Sequence, residues 1–333
     1  MKFKKLLLLP LAALLLNGCA IGKKVDKDVA NERVSEAIQT QEEMDVDSLF
    51  QEAKQDMTES VSQTNLGAET TSKVTNKGTT TLKAKDLLGE NPQVVASAKA
   101  TAKIDKNGQE DSFVSVNENM YYVDGWFYND YDNKERGNIS LAPKSGKGKI
   151  KINVGNIDFA NKNVLAVFSE LSGIAVNFGP VDYSQILLLA SITGNVKARE
   201  FAGVLTITYN LSKDDLVRFV AAQMAGIDYG DLTSEERELV DAIISEIIAQ
   251  LEKGYEVRKY VIEVKIAKEG YITKVRVEND VTQTITDPQG MGEDPEYVIV
   301  VKSKGFTEIN TKLNEKVAIK FPDFSDYVER SLM

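Results

Sequence analysis

The chain of 333 residues contains no histidine and a single cysteine. Without histidine there is no Ser-His or Cys-His nucleophile and no His-ligated zinc, and the commonest general base is missing. One cysteine excludes an intrachain disulfide and a cysteine-built zinc site. Carboxylate, lysine and tyrosine chemistry, or oxygen-ligated calcium, is what remains. Positive charge is also in deficit: 40 Lys and Arg against 50 Asp and Glu give a formal charge of −10. An acidic body argues against nucleic acid as a partner, and against binding an anionic membrane through its general field. The apolar run from Leu6 to Leu16, eleven residues broken by Pro10, falls well short of the about 20 that a spanning helix needs. The 42% apolar content is that of a globular chain able to build a sizeable core.

What the N-terminus does contain is ordered. Lys2, Lys4 and Lys5 precede the apolar run, and Leu16-Asn17-Gly18-Cys19 follows it. Basic, apolar and small residues in that order form a secretory signal. Leu16 and Gly18, three and one before the cysteine, resemble the bacterial lipobox, from which Asn17 departs mildly. In proteins with that motif the cysteine thiol is diacylglycerylated and a peptidase cuts before it. The resemblance implies a signal peptide over 1–18 and a membrane partner reached through lipid on Cys19. It places the protein at the cell membrane, facing out of the cytoplasm, and gives the lone cysteine a purpose.

Residues 19–44 read as a polar tether, and Val46, Leu49, Phe50, Ala53 and Met57 at helical spacing predict the first docked helix from Asp45 to about Ser60. Between Gln93 and Asp105, Val94, Ala96, Ala98, Ala100, Ala102 and Ile104 alternate with polar residues, the period of a half-buried strand. Asp105-Lys106-Asn107-Gly108 marks a turn before a strand near Phe113–Val116. Asp124-Gly125 between Tyr121-Tyr122-Val123 and Trp126-Phe127-Tyr128 predicts a hairpin with a two-residue turn. A helix is expected at 164–171, a short apolar helix or a buried strand at 186–192, then a strand at 204–209. A helix capped by Ser212 follows, and Thr233-Ser234-Glu235-Glu236 opens a helix carrying Leu239, Ile243, Ile244, Ile247, Ile248 and Leu251. Tyr260–Ile266 and Tyr271–Val277 flank the turn Lys268-Glu269-Gly270 as a second hairpin. Strands are expected at 297–301, 307–313 and 317–320, with an exposed loop at 291–295.

A helix, then strands, then helices, then strands describe an α+β fold. It is expected as a curved, largely antiparallel β-sheet, an incomplete barrel, covered on its concave side by amphipathic helices. A single domain over 45–333 carries a central helical insertion at about 159–253. The lipobox, tether, amphipathic helix, meander, the segment Tyr121–Tyr128 and the ending Val317-Ala318-Ile319-Lys320-Phe321-Pro322 together resemble bacterial extracytoplasmic lipoproteins of the LolA/LppX-like group, including Gram-positive members. That resemblance implies a lipid or lipoprotein ligand between sheet and helices.

The small face bearing Ala98 and Ala100 either leaves room for an acyl chain or lets a helix approach. Tyr122 and Trp126 either stack on a ligand or pair across strands, and Ile244 and Ile248 either line a cavity or fill it. Those six residues are the candidate ligand contacts. Asp130, Asp132, Asn133 and Glu135 have suggestive calcium spacing, but Glu135 stands at the sixth loop position, where an EF-hand needs Gly. No metal, cofactor or catalytic residue is assigned. The leading expectation is a non-catalytic lipoprotein binding a lipid or other apolar ligand. The alternatives are a structural or protein-interaction lipoprotein with a filled core, its partner unspecified, and a carboxylate-dependent envelope enzyme needing two converging acids.

Overall fold

A computed structural model describes residues 22–65, 67–137, 145–157, 159, 167, 193–226, 233–286 and 298–331. Cys19 and the signal segment, the loop at 291–295, and the elements expected at 164–171 (Val167 apart) and 186–192 lie outside the described residues. The described chain forms one curved, unclosed 13-stranded sheet with four helices. The strands are β1 Lys23–Val25, β2 Leu49–Asn65, β3 Ala68–Lys85, β4 Gln93–Lys106, β5 Gln109–Val123, β6 Trp126–Arg136, β7 Gly146–Asn153, β8 Val196–Phe201, β9 Val204–Asn210, β10 Tyr255–Ile266, β11 Ile272–Thr286, β12 Val298–Leu313 and β13 Val328–Arg330. The helices are α1 Lys27–Glu43, α2 Lys213–Met224, α3 Ser234–Ile243 and α4 Ser245–Gly254.

Strand order is β1-β8-β9-β10-β11-β12-β2-β3-β4-β5-β6-β7-β13. Neighbours are antiparallel except for β13, which runs parallel to β7. Sequence neighbours therefore pair as a meander on each side, and the long β12–β2 pairing joins the two halves. Each sheet edge ends in a three-residue strand, a length that gives little template for pairing with another chain.

The hairpin at Asp124-Gly125 forms as its residues require, with φ of 52° and 76° matching a primed turn. The β10–β11 hairpin and strands β4 and β9 also form where alternation predicts them. Two capping boxes are in place: Ser212 with Asp215 on α2 and Thr233 with Glu236 on α3. Ser212→Ala should remove the Oγ acceptor that Asp215 N uses at 3.2 Å and cost about 1 kcal/mol. Chemical denaturation checks this, and an unchanged midpoint would contradict it.

Four expectations are corrected. The helix expected from Asp45 to about Ser60 is strand β2, and the helix lies earlier: α1 occupies most of the stretch read as tether. Its small stripe of Ala30, Val34 and Ala37 is fully buried with β8–β11. The single helix after Thr233 is two, broken at Ile244 (φ −93°, ψ 10°). Ile243 projects into solvent, 69% exposed, while Ile244 is buried against α2. The strands expected at 297–301 and 307–313 are one, β12. Residues 317–320 form no strand, because the chain leaves the sheet at Asn314, whose carboxamide ties it to the backbone of Asp45 and Asp47.

Register gives the sheet two unlike faces. One carries Leu205, Ile207, Tyr209, Ile262 and Val264 near one end of the strand order and Leu82, Val94, Ala96, Met120 and Phe127 towards the other. The opposite face carries an ion-pair ladder across β10, β11 and β12: Glu263–Lys274–Glu308–Arg276–Glu278–Lys259. Asn310 donates to Glu308 at 3.0 Å, and Lys274 and Arg276 lie at 3.1 and 3.0 Å. The Asn310 hydrogen bond first, then the two cations, pull the Glu308 carboxyl down from 4.5 to about 2. A lowered folded-state value means that its stabilisation is complete above about pH 4.5 and is lost as pH falls towards 2. Glu308→Gln should therefore lower stability at neutral pH and flatten the acid-induced loss within that window. Denaturation midpoints measured across the window check it, and parallel curves for the two proteins would contradict it.

Candidate ligand-binding face

The apolar face changes character along the strands. At the end holding Leu82, Val94 and Tyr122 it is closely packed. Farther along, register aligns rows rich in small residues, with polar Gln55, Asn76 and Glu118 among them, across five central strands. Ile309, Ala53, Thr80, Ala98 and Glu118 form one row; Thr307, Gln55, Gly78, Ala100 and Val116 the next; Gly305, Met57, Asn76, Ala102 and Val114 a third. Strand alternation puts all of them on one side. Met57, Val61, Val74, Ile104 and Val116 stay half-buried there, and Gln55 and Glu59 on the same side are exposed. The described helices pack chiefly on β8, β10 and β11. The central strands thus present a shallow apolar lane between rows of packed side chains.

A polar group stands at the margin of this lane. Glu118 on β5 is 2% exposed. Asn129 and Asn133 on β6 each donate a carboxamide N–H to one of its oxygens, Asn129 at 3.0 Å. The Oδ1 of Asn129 is buried and accepts no hydrogen bond among the described residues. A mostly apolar surface with a few placed polar groups is the usual make-up of a small-molecule site. Sequence reasoning passed over Glu118, although a signal exists: it falls in phase with Val114, Val116, Met120 and Tyr122, an acid at an inward position of a period-2 strand.

The six candidate contacts do not converge. Ala98 is buried in the packed cluster, and Ala100 is half-buried beside Gly78. Tyr122 shares their face but is tied down: its hydroxyl donates to Gly155 O at 3.0 Å and accepts from Ile157 N at 2.9 Å, and its ring meets Phe159 edge-on. Trp126 is on the opposite face, beneath the Lys151 ammonium. Ile244 and Ile248 belong to the separate α2–α3–α4 cluster.

The other aromatics of the hairpin are covered by the chain itself. The C-terminal tail lays Phe324 flat on Tyr128 at 3.7 Å and edge-on to Tyr121 at 5.5 Å, and Tyr327 closes on Tyr128 at 5.5 Å. Lys149 and Asp326 lock the tail at 2.7 Å before β13 pairs with β7. Burial, the first cause, with nearby Asp130 second, pushes the Tyr121 phenol above its ordinary value.

The opposite face holds a wide-open depression of about 630 Å³ lined by Lys54, Asp56, Lys77, Lys99, Thr101 and Phe306. Gln55, Gly78, Ala100 and Val116 also contribute to its lining, so its wall mixes charged, polar and apolar groups. Among the described residues no cluster of three or more acidic, histidine or cysteine side chains has metal-binding geometry. No described helix is long and apolar enough to cross a membrane.

No family model and no curated protein matches the chain. Among solved structures it is similar to a beta-barrel-like protein of Domain of Unknown Function DUF1849 from Brucella abortus. The two share 10% identity over 81% of this chain and 100% of that one, with a TM-score of 0.20, too low to carry an argument.

Proposed function

We propose that this chain is a non-catalytic lipoprotein, held at the cell membrane by lipid on Cys19 and facing out of the cytoplasm. In this reading its sheet binds an apolar ligand such as a lipid, and amphipathic helices cover the concave side, as in the LolA/LppX-like group whose pattern the sequence resembles. The observation that carries the ligand reading is the lane over β12, β2, β3, β4 and β5. Met57, Val61, Val74, Ala100, Ala102, Ile104 and Val116 on it stay half-buried, whereas the same face at β8–β11 is closed by α1. Apolar surface that the described helices leave unsealed contributes little to folding and gains roughly 25 cal/mol per Å² when a ligand covers it. Native mass spectrometry of the protein after gentle detergent extraction tests the reading. A non-covalent lipid adduct is expected, and a protein that stays empty in the presence of its own membrane lipids overturns it.

A protein-interaction role is the second reading, and one observation favours it. Leu239 and Ile243, four apart on α3, are 64% and 69% exposed, and Met224 at the end of α2 is also exposed. Exposed apolar side chains grouped on a helix mark contact surfaces when they form a continuous patch. Leu239→Ser/Ile243→Ser should abolish partner capture under this reading and leave lipid adducts intact under the first.

A further inference from the structure

We infer that the β8–β9 hairpin tip is a membrane-seating element, resting the domain edge-on against the bilayer that holds the Cys19 lipid. This deepens the lipoprotein reading and rests on it. β1 pairs antiparallel with β8, with Lys23 opposite Glu200 and Val25 opposite Ala198. Followed backwards from Lys23, the chain therefore runs towards the hairpin tip, and Gly22 sits directly on Glu200 O. Three Cα steps separate Gly22 from Cys19, a reach of at most about 11 Å. The residues that would have formed a long tether are instead β1 and α1, docked on the sheet. A lipidated Cys19 cannot hold this domain clear of the headgroups; it pulls the hairpin tip down to them.

The tip is chemically suited to that position. Phe201 and Val204 face each other across the turn, and the chain reverses through Ala202 and Gly203 at φ of 51° and 80°. Phe201 is 61% exposed and Val204 is also exposed, although nothing in a two-residue turn requires an aromatic ring. Lys268, from the neighbouring β10–β11 turn, lies against Gly203, and Lys23 and Lys24 are exposed on β1. An aromatic ring flanked by long lysines suits the bilayer interface, where the ring enters the headgroup region and the ammonium groups reach phosphates. The body's net acidity works against general adsorption, so a local apolar contact beside a covalent lipid is the arrangement that seats this edge.

The lone cysteine supplies the test. Once its sulfur is acylated, Phe201→Cys provides the only free thiol in the mature protein, and Val328→Cys, exposed on the opposite edge of the sheet, provides the reference. Each lipidated variant is labelled with bimane and placed in phosphatidylglycerol–phosphatidylethanolamine vesicles with brominated acyl chains. Quenching severalfold stronger at 201 than at 328 is expected. Equal quenching, with intact mass showing Cys19 acylated, overturns the seating and leaves the lipoprotein reading standing. A label at 201 shielded from aqueous iodide but unquenched by brominated lipid also overturns it, marking a protein contact there. An intact mass with Cys19 unmodified overturns both.

Discussion

Gly305→Ala is expected to destabilise the fold by about 2–4 kcal/mol, the sum of positive-φ strain and overpacking. Gly305 lies in β12 at the seam joining the two halves of the meander, with φ of 151°. A Cβ built there would collide with the Asp56 carbonyl oxygen on β2. A backbone oxygen in a central ladder cannot swing aside as a flexible side chain can, so relief requires opening the β12–β2 register. That register runs from Leu313–Leu49 to Val298–Thr64, and local opening would detach the β8–β12 half from the β2–β7 half. Urea denaturation reads the effect. A midpoint within error of the parent protein would mean that this seam does not have the described geometry.

Cys19→Ser is expected to move the protein from the membrane fraction to the soluble fraction and to abolish incorporation of labelled fatty acid. Each buried methylene contributes about 0.8 kcal/mol, so the chains on a lipidated cysteine dominate membrane affinity, whereas a single exposed aromatic at a hairpin tip does not anchor alone. Fractionation after alkyne-palmitate feeding separates the outcomes. Unchanged membrane retention with no label in either protein would remove the anchor from the account.

The parts legible in the sequence are those where local chemistry and final environment agree. Asp124-Gly125 needs only its own turn, and the capping boxes at Ser212 and Thr233 need only their own helices. The β10–β11 hairpin alternates because one of its faces is sealed by the main core. β2 and β3 were hidden for the opposite reason. Between Leu49 and Thr81 neither face is fully sealed, so polar residues fall on both, Gln51, Gln55 and Thr80 on one and Lys54, Ser60 and Lys77 on the other, and the period-2 signal fades. What remained, Leu49, Phe50, Ala53 and Met57, imitated a helix. α1 escaped notice because close approach to the sheet is achieved with alanines, leaving a weak apolar stripe. β12 resembles two strands in the sequence because Lys302, Ser303, Lys304 and Gly305 interrupt its alternation where the lane opens.

The candidate site was legible only in part. Ala98 and Ala100 do mark the side of the sheet on which the lane lies, but the aromatic hairpin pointed away from it. Composition gave no sign that Phe321, Phe324 and Tyr327, two hundred residues later, would occupy Tyr121 and Tyr128. Glu118 was visible in principle and became meaningful only when β6 brought Asn129 and Asn133 beside it.

Photocrosslinking tests the central claim most directly. The lipidated protein is equilibrated with a diazirine-bearing fatty acid, irradiated, and mapped by peptide mass spectrometry. The account predicts adducts on the half-buried residues of one face, Met57, Val74, Ile104 and Val116, with unlabelled lipid competing them away. Adducts confined to the opposite, charged face around Lys54, Lys77 and Phe306, or no competable adduct anywhere on β2–β5, would contradict it.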